Sequence, residues 1–196
     1  DIIWIMTDPR FWGWLWEIED EIRTNIPIVY YHVWDNYPYP KFNKAYYKSN
    51  DHIACISKLT YDIVQNVAPD VPSTYIPHAV EPGVFGKQNE NKVLEFKKQY
   101  FPQICDWDNE EKFIFFWNNR NARRKMSGSV LCWFKEFLDE VGHDKASLVM
   151  HTDPKDVHGQ DLEAIARQLN MLDGQIIFST AKQPSTILAM LYNVAD

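Results

Sequence analysis

The sequence predicts an α/β protein built on parallel sheets, and three observations carry that expectation. Apolar runs of strand length recur along the 196 residues. Stretches with apolar residues at helical spacing lie between most of them. The strand-length runs are nearly continuous in their apolar character, as strands covered on both faces must be. The expected class is the doubly wound α/β type.

The elements follow in order. DIIWIM (1–6) is the first strand, and the stripe Phe11, Leu15, Ile18 and Ile22 predicts a helix after it. IPIVYYHVW (26–34) is the second strand and runs into a Pro-rich loop; HIACIS (52–57) and STYIPHAV (73–80) follow. From Glu81 to Glu111 the pattern breaks into Pro-Gly punctuation, a polar helix-like piece (NENKVLEFKKQY) and FPQICDWDNEE. Few apolar anchors occur there, so residues 86–111 are expected to link a first region, 1–85, to a second, 112–196. KFIFFWN (112–118) opens the second region, and Val130, Phe134, Phe137 and Val141 predict a helix that Gly142 ends. SLVMHTD (147–153) and QIIFST (175–180) are its further strands. Their helices carry Leu162, Ile165, Ala166 and Leu169, then Leu188, Leu191, Tyr192 and Ala195.

A net charge of -7 argues against a protein that coats nucleic acid. Cys55, Cys105 and Cys132 are isolated, which fits a reducing, cytoplasmic setting with buried or idle thiols. No apolar stretch reaches membrane-spanning length. The chain opens within a strand and without Met, so a fragment of a longer protein is expected.

Against the acidic whole, FFWNNRNARRKMSG (115–128) gathers Arg120, Arg123, Arg124 and Lys125. In open α/β sheets ligands bind beyond the carboxyl ends of strands, where loops meet helix N-termini. This loop is such a connection, and helix N–H groups with a guanidinium fork suit a phosphate. The other reading is a solvated basic run. His32, at the end of the second strand, either lines a ligand cleft with Asp35 orienting it or packs among Tyr30, Tyr31 and Trp34. Trp34, Tyr37 and Tyr39 either stack on a ligand or belong to the core. His78 lies near the end of STYIPHAV, just before the Pro-Gly punctuation. HTDPKDVH (151–158) has metal-ligand residue types, but on a Pro-containing loop its spacing sets no geometry, and no metal is expected. A nucleophile elbow and a G-x-G-x-x-G turn are both missing, so hydrolase and dehydrogenase readings lack their motifs.

Arg120 and Lys125, five apart between an apolar strand and a small-residue helix start, resemble the G-R-x(3–5)-K-G loop of family 4 glycosyltransferases. In matching order, DHIACISKLTYDIV (51–64) resembles that family's "aD.i.a.S....d.l" element. IPHAVEPGVF (76–85) resembles its "iPhGvdp..F" element, with Ala79 in place of Gly, and LAMLYNVAD (188–196) its "l..lY..aD" helix. The resemblance implies the GT-B architecture, two Rossmann-like domains facing across a cleft, both incomplete here: 1–85 on the acceptor side and 112–196 the first part of the nucleotide-sugar domain. It implies a retaining, hexosyltransferase-type enzyme acting on a nucleotide-diphosphate-sugar co-substrate, without metal or other cofactor. The acceptor would be a glycan, lipid or protein. The roles it implies are Arg120, Lys125 and Arg124 at the donor diphosphate, Thr152, Phe178 and Ser179 at the nucleotide, and His32 in catalysis. The family's E-x(7)-E segment does not occur within these residues, so the piece alone is expected to be inactive. The alternative is a non-catalytic GT-B-like module that binds a phosphorylated ligand or a partner protein.

Overall fold

The computed structural model describes residues 1–171 and 174–196. The chain divides into two compact units, Asp1–Val80 and Glu81–Asp196, and each has its own parallel sheet.

In the first unit β1 (Ile3–Thr7), β2 (Ile28–His32), β3 (His52–Cys55) and β4 (Ser73–Tyr75) lie side by side in chain order. Their carboxyl ends are level, because Thr7 pairs with His32, His32 with Cys55 and Cys55 with Tyr75. Right-handed crossovers between strands laid down in one direction all fall on one face. On that face Ile5, Ile28, Tyr30, Ile53 and Cys55 form a core with residues from α1 (Gly13–Trp16), α3 (Lys44–Lys48) and α4 (Lys58–Val67). The helix residues are Leu15, Trp16, Tyr47, Ile63 and Val64. Trp4 and Met6 point the other way and are 55% and 50% exposed, whereas Tyr31 and Ala54 on that same side are buried, so that face is open at β1.

The stripe from Phe11 to Ile22 does not make one helix. A 3-10 turn, α1 and α2 (Glu19–Ile22) replace it, with Ile18 in a non-helical conformation between them. Phe11 and Ile18 are exposed. The anchors are instead Trp12 and Trp16, whose indole N–H groups donate to the Met6 carbonyl (2.9 Å) and Asn50 Oδ1 (3.2 Å). Ser57 caps α4 through its hydroxyl, which accepts from the Thr60 N–H.

The second unit has β5 (Phe113–Asn118), β6 (Ala146–His151) and β7 (Ile176–Ser179), again parallel and in chain order. Here both faces are covered. Leu148, Met150, Ile176 and Phe178 pack against α6 (Ser127–Val141) and α7 (Leu162–Gln168). Ile114, Phe116, Val149 and Ile177 pack against α5 (Glu90–Tyr100) and α8 (Ser185–Val194). Gly142 ends α6 at φ 112, a value that favours glycine.

Residues 86–111 are not a bare linker. Phe96 of α5, with Phe101, Ile104 and Trp107, is buried in the core of the second unit, and the Trp107 indole N–H donates to the Phe101 carbonyl (2.9 Å). The apolar residues there are few but large, and each is spent on the sheet. The boundary accordingly falls between Val80 and Glu81. Among the described residues no helix is long and apolar enough to cross a membrane.

Candidate functional site

At the carboxyl edge of the second sheet Asn118, His151 and Ser179 stand in register. The loop after β5 and the loop after β6 rise beside one another from that edge and are knitted together. Arg120 donates side-on to Asp156, Nε to Oδ2 at 2.6 Å and Nη2 to Oδ1 at 3.1 Å. Asn121, fully buried, donates from Nδ2 to the Gln160 carbonyl (2.7 Å) and accepts at Oδ1 from the Ser127 hydroxyl (2.7 Å). The Arg123 N–H donates to the His158 carbonyl at 3.3 Å. Gln160 Oε1 accepts from the Gly128 N–H (2.9 Å), capping the first turn of α6. A Cβ on Gly159 would stand 2.1 Å from the Asn121 carbonyl oxygen, so the loops meet where a side chain cannot fit.

The cations of the loop are not equivalent. Arg120 has its partner, and the guanidinium, mainly through hydrogen bonding, holds the Asp156 carboxyl at about 2. The same bond raises the Arg120 pKa. Arg123, Arg124 and Lys125 form a 3-10 turn and take no part in the ion pairs among the described residues. Lys125 is half-buried, Arg123 and Arg124 exposed. Met126, which follows, has φ 54 and ψ 35, the left-handed region in which a side chain costs about 1 kcal/mol or more. Met126→Gly should therefore raise the stability of this unit by about 1 kcal/mol in urea titration. A fall in stability would mean that the half-exposed Met side chain packs to more effect than the strain costs.

Thr152 is 7% exposed, and its Oγ1 has no hydrogen-bond partner among the described residues. A buried hydroxyl left unpaired at the end of a strand calls for a ligand or water as its partner. Ser179 is already engaged. Its carbonyl accepts from the Thr152 N–H (3.1 Å), and its hydroxyl bonds His151 Nδ1 (2.9 Å). The Phe178 side chain packs on the core beneath α6 and α7. His151, Asp153, Asp156 and His158 do not converge, since Asp156 is committed to Arg120. Among the described residues no group of three or more His, Cys, Asp or Glu could hold a metal ion.

His32 requires a correction. It is 0% exposed, with Nδ1 3.0 Å from the Tyr30 hydroxyl and Nε2 2.7 Å from that of Tyr47. Tyr30 donates its own proton to the Thr7 carbonyl (2.6 Å), so it accepts from Nδ1–H, and Nε2 accepts from Tyr47. Burial lowers the imidazole pKa to about 3. Period two places His32 on the helix-covered face with Ile28 and Tyr30, and the Tyr47 ring closes it off. A neutral, enclosed ring with both nitrogens bonded does not reach a substrate. His78 stacks on Tyr31 at 5.3 Å.

Above His32, beyond β1 and β2, a cleft of about 420 Å³ is lined by Asp8, Arg10, Trp34, Asp35, Asn43 and Tyr46, among others. Asp8 pairs with Arg10 at 3.0 Å. Asn43 is buried, with its side-chain amide beside the Tyr47 hydroxyl. Thr7, just before Asp8, has φ 105, a strained value for a β-branched residue. Trp34 lines this cleft, whereas Tyr39 donates to Asp62 (2.9 Å).

The sequence alone did not single out Asn121, Asp156, Gly159 or Gln160 as one cluster. The available signal was topological: adjacent parallel strands bring successive βα loops together, so the loop after β6 is where a partner for Arg120 belongs.

No protein-family model and no curated protein matches the sequence. Solved structures do. Trehalose-6-phosphate synthase from E. coli bound with UDP-2-fluoro glucose matches over 100% of this chain at 15% identity and TM-score 0.66, covering 51% of that structure. Anabaena Alr3699/HepE in complex with UDP and glucose matches over 100% at 10% identity and TM-score 0.72, again covering 51%. A UDP-forming α,α-trehalose-phosphate synthase from Burkholderia xenovorans matches over 97% at 15% identity and TM-score 0.66, covering 50%. The chain spans about half the length of these structures. At such identities the likeness speaks for architecture, and the architecture is that of GT-B glycosyltransferases.

Proposed function

We propose that this chain contributes to a retaining, hexosyltransferase-type glycosyltransferase of the family 4 kind, with the donor diphosphate held in the second unit. The observation that carries the reading is the cationic loop at the carboxyl edge of β5. Its Arg120 is aimed by a partner on the neighbouring loop, while Arg124 and Lys125 are free of ion pairs among the described residues. Breaking the bond between an anomeric carbon and a nucleoside diphosphate leaves negative charge on the departing phosphate. Fixed cations stabilise that charge more in the transition state than before it. Thr152 Oγ1 supplies an unspent polar group beside the nucleotide. With cations in this role the reaction needs no metal. Asp8, Asp35 and Asn43, between aromatic faces in the first unit, suit a hydroxyl-bearing acceptor.

UDP and GDP titrated into the chain by calorimetry test the donor site directly. Arg120→Ala should weaken binding about tenfold or more, the scale of a lost charge-assisted contact. Arg120→Lys should restore part of it, since a point charge cannot reproduce a fork. Arg123→Ala should cost little and fade with salt. Excess EDTA should leave the affinity unchanged. Small, equal and salt-sensitive losses at every position would reduce the loop to a basic surface.

A further inference from the structure

The Arg120–Asp156 pair has a geometry that bears on how the cation works. A guanidinium offers two forks: one side-on, from Nε–H and one Nη2–H, and one end-on, from Nη1–H and the other Nη2–H. Asp156 occupies the side-on fork, at 2.6 and 3.1 Å, and the end-on fork has no partner among the described residues. Asp156 is itself held. Its side chain is 13% exposed, and Oδ1 also accepts from the His158 N–H at 2.9 Å. The Arg120 side chain is 63% exposed and would otherwise sample many rotamers.

From these contacts we infer that Asp156 is a positioning residue, which fixes the plane of Arg120 so that its end-on fork is presented to a phosphate. The inference rests on the donor-site reading above and names the residue that aims its principal cation.

Charge alone leads to the opposite expectation. A carboxylate beside an anion site repels the ligand, so removing it should tighten binding. Positioning makes removal harmful, because binding must then bear the cost of ordering a free arginine. Asp156→Ala should accordingly weaken UDP binding about three- to tenfold, even though it deletes a negative charge. In an Arg120→Ala background the same change should no longer weaken binding, since there is then no guanidinium for Asp156 to position and only its charge is left to act. The Arg120 Nε–H resonance, slow to exchange in the native chain, should become fast in Asp156→Ala while the amides of α6 stay protected.

Tighter UDP binding by Asp156→Ala would overturn the inference and make Asp156 a competitor for the fork. An equal loss in both backgrounds would overturn it too, by showing that Asp156 acts without Arg120. If Arg120→Ala itself leaves UDP binding unchanged, the donor-site reading fails first. If Arg120→Ala weakens binding and Asp156→Ala does not, only the positioning role falls.

Discussion

Between pH 7 and pH 4 the first unit should lose about 3 kcal/mol of stability through His32 alone. The native ring stays neutral because burial lowers its pKa from 6.5 to about 3. In the unfolded chain the same ring takes up a proton as soon as the pH falls below 6.5. The unfolded state therefore binds more protons throughout the window from 6.5 down to about 3, and stability declines with falling pH across it. Above 6.5 the contribution is fully present. His32→Asn removes the titrating group and leaves the Tyr47 hydroxyl with a poorer partner. It should destabilise the unit at pH 7 by about 2–3 kcal/mol and flatten the slope between pH 6.5 and 4. Because the chain has two units, the measurement is hydrogen exchange of β2 and β3 peptides in urea rather than one global midpoint. An unchanged slope in His32→Asn would show that the ring is not held neutral in the core.

Gly159→Ala should destabilise the loop cluster by about 3 kcal/mol and, on the donor-site reading proposed above, abolish nucleotide binding with it. The added carbon would meet the Asn121 backbone oxygen at 2.1 Å and the Asn121 side chain at 2.4 Å. Neither can yield cheaply. The backbone is tied down on both sides of that residue, and Asn121 is buried with three bonds, to Ser127 and to both backbone groups of Gln160. The loop after β6 must lift away, taking Asp156 from Arg120 and Gln160 from α6. Gly128→Ala is the control. The atoms nearest its new carbon are those of the Gln160 amide, at 2.6–2.9 Å, and a flexible side-chain end can swing aside. Circular dichroism in urea and UDP titration of both variants separate the cases. Native stability in Gly159→Ala would mean that the two loops are not in contact.

Much of the architecture was legible in local pattern. Each of the seven described strands falls within or across one of the apolar runs, and α6 stops where Gly142 appears, because both depend on sterics and periodicity over a few residues. The position of the cationic loop after β5 was legible for the same reason. Two readings did not survive the fold. The segment 86–111 looked too polar to pack, yet four large side chains suffice to bury one of its faces. His32 looked like a cleft residue because it ends a strand, but what lies over a strand end is decided by distant chain.

The sequence by itself determined the α/β class, the order of elements and the placement of Arg120 to Lys125 beside a helix start. All of these rest on hydrophobic period, glycine conformation and the chemistry of a basic run. Only the tertiary structure decided which cation is paired and which histidine is enclosed. Asp156 reaches Arg120 across 36 residues, and Tyr47 reaches His32 across 15. Such meetings depend on which faces the helices cover and on how the βα loops close, and no local pattern records either. They arise when strands settle side by side, because burial then forces each polar group to find its partner in whatever chain has arrived next to it.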